Sequence, residues 1–323
     1  MNKYDVVALG ELLIDFTENG LSQQGNPVLE ANPGGAPCNV LAMLQKFGHK
    51  TAFIGKVGDD MFGQMLASVV EEVGIDTSGL TFDKEIPTTL AFVHTSADGD
   101  RSFSFYRKPG ADMMLNEDEV SDELIKNAKI FHFGTLSMTD AEVEKATVKA
   151  ISIAKENHLM ISFDPNLRPP LWKSLADAKQ KMEYGMSQCD ILKISDDEIV
   201  FFTGQEDLEK GIQMIREQFD IKLICTTMGK NGSVAYYKDK RIACEPFLQE
   251  KTIETTGAGD TFMGSVLHGV LENGLDAFTE QGILEMLTVA NAGASLITTK
   301  KGALKVMPEF EDICQLRRER GRL

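Results

Sequence analysis

The stretch Glu254-Thr255-Thr256-Gly257-Ala258-Gly259-Asp260-Thr261-Phe262-Met263-Gly264 constrains this chain more than any other. A short extended run, Lys251 to Ile253, precedes it. Apolar residues at helical spacing follow it: Phe262, Met263, Val266, Leu267 and Val270. A turn of nearly bare residues therefore opens a helix. With so little side chain, the amides of Gly257, Ala258 and Gly259 can approach an anion closely, and the helix dipole adds positive potential there. Asp260 falls in the first helical turn, beside the same point. Backbone donors for developing phosphate charge, next to a carboxylate that can take a proton, suit phosphoryl transfer to an alcohol. The competing reading is a tight turn with Asp260 as a favourable first-turn acid. The run is neither a Walker A loop nor a GxGxxG turn.

Strand and helix patterns alternate through the rest of the chain. Tyr4–Gly10, Lys50–Val57, Ile130–Gly134, Met160–Asp164, Asp190–Ile194 and Leu223–Thr227 read as strands. Helical patterns follow Asn39, span Asp140 to Glu156 and 284–297, and lie between Asp59 and Gly74 and between Ser195 and Gly204. This alternation predicts a parallel sheet covered by helices, with ligands at the carboxyl ends of its strands. Thr88–Thr95 and Arg101–Tyr106, joined by Ser96-Ala97-Asp98-Gly99-Asp100, predict a hairpin. A length of 323 residues admits two domains or one large α/β unit. No linker separates two parts, so a single domain is expected.

Several residues stand out as ligand candidates. Asp15 is a lone acid in an apolar run; it either lies at an exposed strand edge or points into a pocket, where a sugar hydroxyl would offset its burial. Gly34 and Gly35 precede a helix and let a ligand lie against backbone. The Asn39 amide both donates to and accepts from hydroxyls. Arg168 follows a strand and two prolines flank it at Pro165 and Pro169; it is a surface residue or a phosphate or sugar contact. Arg107 ends the alternating Phe103-Ser104-Phe105-Tyr106 run and either packs the hairpin or meets substrate. Ser195 and Glu198 have capping-box spacing. Cys38 reads as a small core or pocket residue.

The net charge of −16 argues against nucleic-acid and anionic-membrane partners. No apolar run approaches the ~18 residues of a membrane helix. Five cysteines without paired spacing, and no recognisable signal peptide, predict free thiols in a reducing cytoplasm. The five histidines form no HExxH pattern and no CxxC accompanies them, so the linear sequence indicates no zinc site.

Glu254–Leu267 resembles the C-terminal signature of the ribokinase-like (PfkB) carbohydrate kinases, and Asn32–Asn39, with Gly48 and Gly58, resembles the N-terminal one. The likeness extends from Gly10 to about Gly302. It implies an α/β fold, a three-layer α/β/α unit with a mostly parallel central sheet. It also implies a small β-sheet lid assembled from about 11–34 and 82–112 within one domain, 1–323. On the acceptor side it implies Asp260 as the base, Gly257–Gly259 as the anion hole, and Asp15, Gly34, Gly35, Asn39, Arg107 and Arg168 at the sugar. On the donor side it implies Lys193, Ser195, Thr227, Gly229, Gly232 and Asn291 around ATP, with Glu198 organising Mg2+ through water. The sequence departs from the family at Glu254, where Asp is usual at a monovalent-cation position, so K+ use is a separate question. Ser195 stands where Asn is usual, Ser265 where Gly or Ala is, and Leu41 at a usually small position. The resemblance further implies a small sugar and ATP as the ligands, no nucleic acid or membrane, a homodimer through the lid, and a cytoplasmic location. The stretches 105–112, 164–168 and 193–198 are most similar to fructokinases, which transfer the γ-phosphoryl of ATP to O6 of fructose. 2-Keto-3-deoxygluconate kinase and ribokinase are the alternatives within the family. A catalytically silent sugar- or nucleotide-binding regulator is the alternative from another class.

Overall fold

All four side chains of the first strand, Val6–Leu9, are buried, as a strand covered on both faces requires. The computed structural model describes residues 2–95 and 101–322. In chain order the strands are β1 (Val6–Leu9), β2 (Leu13–Leu21), β3 (Pro27–Gly34), β4 (Thr51–Gly58), β5 (Asp76–Asp83), β6 (Leu90–Thr95), β7 (Arg101–Tyr106), β8 (Ile130–Gly134), β9 (Met160–Asp164), β10 (Ile191–Ser195), β11 (Leu223–Thr227), β12 (Ser233–Tyr237) and β13 (Lys240–Cys244). The helices are α1 (Ala36–Lys46), α2 (Met61–Glu72), α3 (Asp122–Lys126), α4 (Ala141–Glu156), α5 (Leu175–Gln188), α6 (Asp196–Thr203), α7 (Leu208–Gln218), α8 (Ala258–Asn273), α9 (Glu280–Ile297) and α10 (Phe310–Glu319).

Nine strands form one sheet in the order β13-β12-β11-β10-β9-β8-β1-β4-β5. Pairing is parallel from β11 to β5 and antiparallel at the β11-β12-β13 end. The side-chain period of two sorts each strand between two cores. Val6 and Ala8 of β1 pack with α1, α2, α8, α9 and α10. Val7 and Leu9 pack with α3 to α7 on the opposite face. The result is the expected three-layer, ribokinase-like arrangement. Helices α3, α5, α7 and α10 and strands β5 and β13 add to the elements that the sequence pattern indicated.

From β1 the chain turns to β4 and β5 on one side, then crosses to β8, β9, β10 and β11 on the other. The crevice at the carboxyl ends of the strands around that reversal is where open α/β sheets bind ligands. A second, four-stranded sheet has the order β3-β2-β6-β7, and its Leu13, Asp15 and Phe105 line one cavity together with Asn166, Arg168 and Asp260. Its strands come from two separate segments of the chain, 13–34 and 90–106. The second segment enters at Leu90 rather than 82, because β5 runs to Asp83 within the large sheet. Strands β6 and β7 pair antiparallel, Leu90 opposite Tyr106. The expected turn at 96–100 lies outside the described residues.

Candidate active site

Helix α8 starts from Gly257, whose φ of 77° is left-handed and whose Cβ, if it had one, would lie 2.8 Å from the Ala303 Cβ. Only glycine meets both demands without strain. Within this turn the Ala258 amide donates to the Thr255 carbonyl at 3.2 Å, so the three expected anion donors reduce to the amides of Gly257 and Gly259. Asp260, one turn in, is 8% exposed, and its Oδ2 accepts a hydrogen bond of 2.8 Å from Asn39 Nδ2. Asn39 sits in the first turn of α1, which Gly35 opens at a φ of 128°; a Cβ there would strike the Glu11 carbonyl oxygen at 2.3 Å. The Glu11 carboxylate in turn accepts the Ala36 amide at 2.9 Å. Residues 221 positions apart in the chain therefore meet at one carboxylate.

Burial sets Asp260 apart from an ordinary acid at a helix start. A helix N-terminus alone would hold this acid well ionised. Burial instead pushes its pKa up, while the Asn39 hydrogen bond and the charges of Lys193 and Arg168 pull it back. The raised basicity that results suits a proton acceptor.

Lys193, in the middle of β10, is buried and its Nζ lies 3.1 Å from Asp164 Oδ1. A Cβ on Gly259 would sit 3.2 Å from that ammonium, so Lys193 abuts the glycine turn. Burial favours the neutral amine, but Asp164, Glu198 and Asp260 outweigh it and push the Lys193 pKa up. A fixed positive charge thus lies against the glycine turn. The other oxygen of Asp164, Oδ2, is buried with no hydrogen-bond partner. Glu198 closes the capping box with Ser195: Ser195 N donates to Oε2 at 2.8 Å and Glu198 N donates to the Ser195 hydroxyl at 3.2 Å. Its Oε1 accepts the Leu167 amide at 2.8 Å, tying the 165–168 loop to α6. Glu254 accepts the Thr256 hydroxyl on one oxygen and the Gly302 amide, at 3.1 Å, on the other.

Two cavities meet at this turn. One, of about 390 Å³, runs between Thr227, Gly229, Gly232, the 246–249 loop and Asn291, and ends at Thr255, Ala258 and Gly259. Asn291 shapes its wall by donating to the carbonyls of Cys244 and Glu245 at 3.2 and 3.1 Å. The other, of about 490 Å³, is lined by Asp15, Gly35, Asn39, Arg168 and Asp260 and also reaches Thr255 and Gly259. Both volumes suit small ligands. Asp15 points into the second cavity, and burial raises its pKa to about 7 against the pull of Arg168. Gly34 contributes space rather than contact: a Cβ there would lie 2.4 Å from Asp15 Oδ2.

Three expected residues take other places. Arg107 does not line the second cavity. It is 5% exposed and each guanidinium nitrogen is engaged: Nε with Asp112 at 2.8 Å, Nη1 with Thr139 at 2.7 Å, Nη2 with the Leu136 carbonyl at 3.0 Å. So committed, the guanidinium ties the segment after β7 to Leu136 and Thr139. Ser195 caps α6 and lines neither cavity. Lys193 also lines neither cavity; it lies against Gly259, which lines both. Residues that sequence reasoning did not single out include Glu11, Asp164 and Asn166. Each follows or ends a buried strand at its carboxyl end, which is the signal that would have found them.

The pfkB family carbohydrate kinase profile matches residues 3–309. The chain belongs to the pfkB family. It is 41% identical over 309 residues to a protein described as probable fructokinase-2 of Arabidopsis thaliana, covering 95% of this chain and 94% of the relative. The structure of a fructokinase with bound ATP from Xylella fastidiosa is similar with a TM-score of 0.89 and 29% identity, over 98% of this chain and 99% of that one. A fructokinase from Vibrio cholerae O395, in a fructose-, ADP- and calcium-bound form, is similar with a TM-score of 0.87 and 28% identity, over 97% and 99% of the two chains. This pfkB member is a phosphotransferase with an alcohol group as acceptor.

Proposed function

We propose that the protein is an ATP-dependent fructokinase, moving the γ-phosphoryl group of ATP to the 6-hydroxyl of fructose. The observation that carries this reading is the meeting of the two cavities at Thr255 and Gly259, with Asp260 on the acceptor side of the junction. A nucleotide in the first cavity would direct its terminal phosphate at the amides of Gly257 and Gly259. A sugar in the second would present a hydroxyl to Asp260. The hydroxyl is far too weak an acid to ionise beforehand, so Asp260 takes its proton as the bond to phosphorus forms. The amides and Lys193 stabilise the charge on the transferring group. Asn39 holds the Asp260 carboxylate in place through one oxygen, leaving the other for the substrate. Asp15 and Arg168 offer an acceptor and a donor to the sugar's remaining hydroxyls. The four-stranded sheet covers the second cavity and keeps out water, which would compete as an acceptor.

The donor set fits Mg2+. The unpartnered buried Asp164 Oδ2 lies beside Lys193, and each Glu198 oxygen keeps a lone pair after accepting one amide. Asp164 and Glu198 would hold the ion through its waters, and bound Mg2+ would neutralise charge on the phosphates. Glu254 is buried with spare lone pairs and is the group offered to a monovalent cation such as K+. Leu21 and Tyr106 stand 72% and 68% exposed on the four-stranded sheet, which supports a homodimer formed through it. The five free cysteines suit a reducing cytoplasm.

A coupled ATPase assay over fructose, ribose, 2-keto-3-deoxygluconate, mannose and adenosine tests the substrate. Fructose is expected to give the highest kcat/KM, with Mg2+ required. A preference for ribose or the keto-acid refutes the fructose assignment, and sugar binding without turnover of any acceptor favours a silent regulator.

A further inference from the structure

Away from both cavities, three metal-ligating side chains converge where α1 and α8 end. His268 and Glu272 are four residues apart on α8, hence on one helix face. His49 follows the Gly48 turn that closes α1. His49 Nε2 lies 2.8 Å from His268 Nδ1, and one ligand atom from each of the three residues falls within 4.8 Å of the others. The surroundings hold these rings in place. Phe47 stacks on His268 with centroids 4.1 Å apart and planes 2° from parallel, and Phe310 packs edge-on against both. The far nitrogen of His49, Nδ1, faces Asp5 Oδ2 at 3.6 Å. Asp5 is itself anchored by Lys129 Nζ at 2.7 Å and the Lys50 amide at 2.9 Å. A carboxylate behind an imidazole is the arrangement that orients histidine toward a metal.

We propose that His49, His268 and Glu272 form a binding site for a divalent transition-metal cation of the zinc type. Two imidazoles and a carboxylate, with water as a fourth ligand, are a donor set that suits Zn2+. Without the ion, one of the two facing nitrogens donates its hydrogen to the other. Metal binding needs a lone pair on both, so that hydrogen moves to the far nitrogen of its own ring and no proton is released. For His49 that nitrogen is Nδ1, which faces the Asp5 carboxylate. Zn–N bonds of roughly 2.0–2.1 Å in tetrahedral geometry separate two ligand nitrogens by about 3.3 Å. The rings therefore part by about half an ångström, and the exposed Glu272 side chain swings in to complete the set.

The position gives the ion a structural consequence. Helices α1 and α8 carry Asn39 and Asp260 near their N-terminal ends, joined by the 2.8 Å hydrogen bond. The cation would join the same two helices at their other ends. His268 lies eight residues beyond Asp260 on α8, about 12 Å along the axis, so this site is separate from the one assigned to Mg2+.

The test is calorimetric titration of the untagged full-length protein with ZnCl2, alongside thermal melting with and without Zn2+. The expected result is one Zn2+ per chain and a raised Tm. Glu272→Gln changes only an exposed side chain and leaves the fold intact. It should weaken binding by at least the ~10–100-fold that loss of an outer-shell partner costs. His268→Gln should abolish binding, together with the tetrahedral visible absorption of the Co2+-substituted protein. Absence of saturable Zn2+ binding, or binding that survives either substitution unchanged, overturns the proposal.

Discussion

Asp15 offers a substitution expected to raise stability while lowering activity. Its carboxylate faces the second cavity, and no hydrogen bond among the described residues supports it. Burial lifts its pKa from the ordinary 3.8 to about 7. An acid raised in the folded state stabilises the fold most below its unfolded pKa. Stability then falls as pH climbs from about 4 to about 7 and stays level above that. The full shift corresponds to about 4.4 kcal/mol at pH 8 and about 1.6 kcal/mol at pH 5. The side chain is half-buried, so screening by solvent reduces these to roughly 2–3 and roughly 1 kcal/mol. Asp15→Asn removes the charge and keeps the shape. The variant should therefore be about 2–3 kcal/mol more stable than the parent at pH 8 and only about 1 kcal/mol more stable at pH 5, read from denaturant unfolding at both pH values. Hydrogen bonds to charged groups contribute about 1.5–3 kcal/mol, so the KM for sugar should rise roughly 10–100-fold while that for ATP holds. A stability gain that does not grow with pH would refute the desolvation argument. An unchanged sugar KM would refute the placement of Asp15 against the substrate.

Asp260→Asn keeps the contact region with Asn39 but cannot accept a proton; kcat should fall on the order of 10²–10⁴-fold with the melting curve little changed. Near-normal kcat in pure protein would remove Asp260 from the chemistry and leave it a helix-start acid. Arg107→Ala strands Asp112 as a buried unpaired charge and should cost about 3–5 kcal/mol in unfolding experiments, with sugar KM nearly unchanged; a stable variant with a large KM effect would restore the substrate-contact reading. Gly257→Ala forces an L-residue to a φ of 77° against Ala303. It should lose about 1–2 kcal/mol and slow turnover, and a variant with parental Tm and kcat would show that the turn has another route.

Much of this protein is written locally. The runs Tyr4–Gly10, Met160–Asp164 and Leu223–Thr227 declare buried strands because strand formation depends on neighbours two apart. Gly257-Ala258-Gly259-Asp260 declares a glycine-opened helix start suited to an anion, because backbone access and dipole direction are properties of a few adjacent residues. Helix α7, with charges throughout Leu208–Gln218, and the partly exposed α5 and α10 were harder to read, since tertiary packing selects the apolar face that stabilises them. The tertiary structure alone decided which partners the polar residues found. Arg107 had the look of a ligand contact until Asp112, Thr139 and the Leu136 carbonyl surrounded it. Glu198 and Glu254 are each held by contacts from distant loops. Asp15 and Asp260 owe their raised pKa values to burial, which no local pattern specifies. His49 and His268, 219 positions apart, face each other only because α1 lies beside α8. Local chemistry sets the elements of this chain; desolvation and long-range pairing, which arise only when the elements pack, set what its charged groups can do.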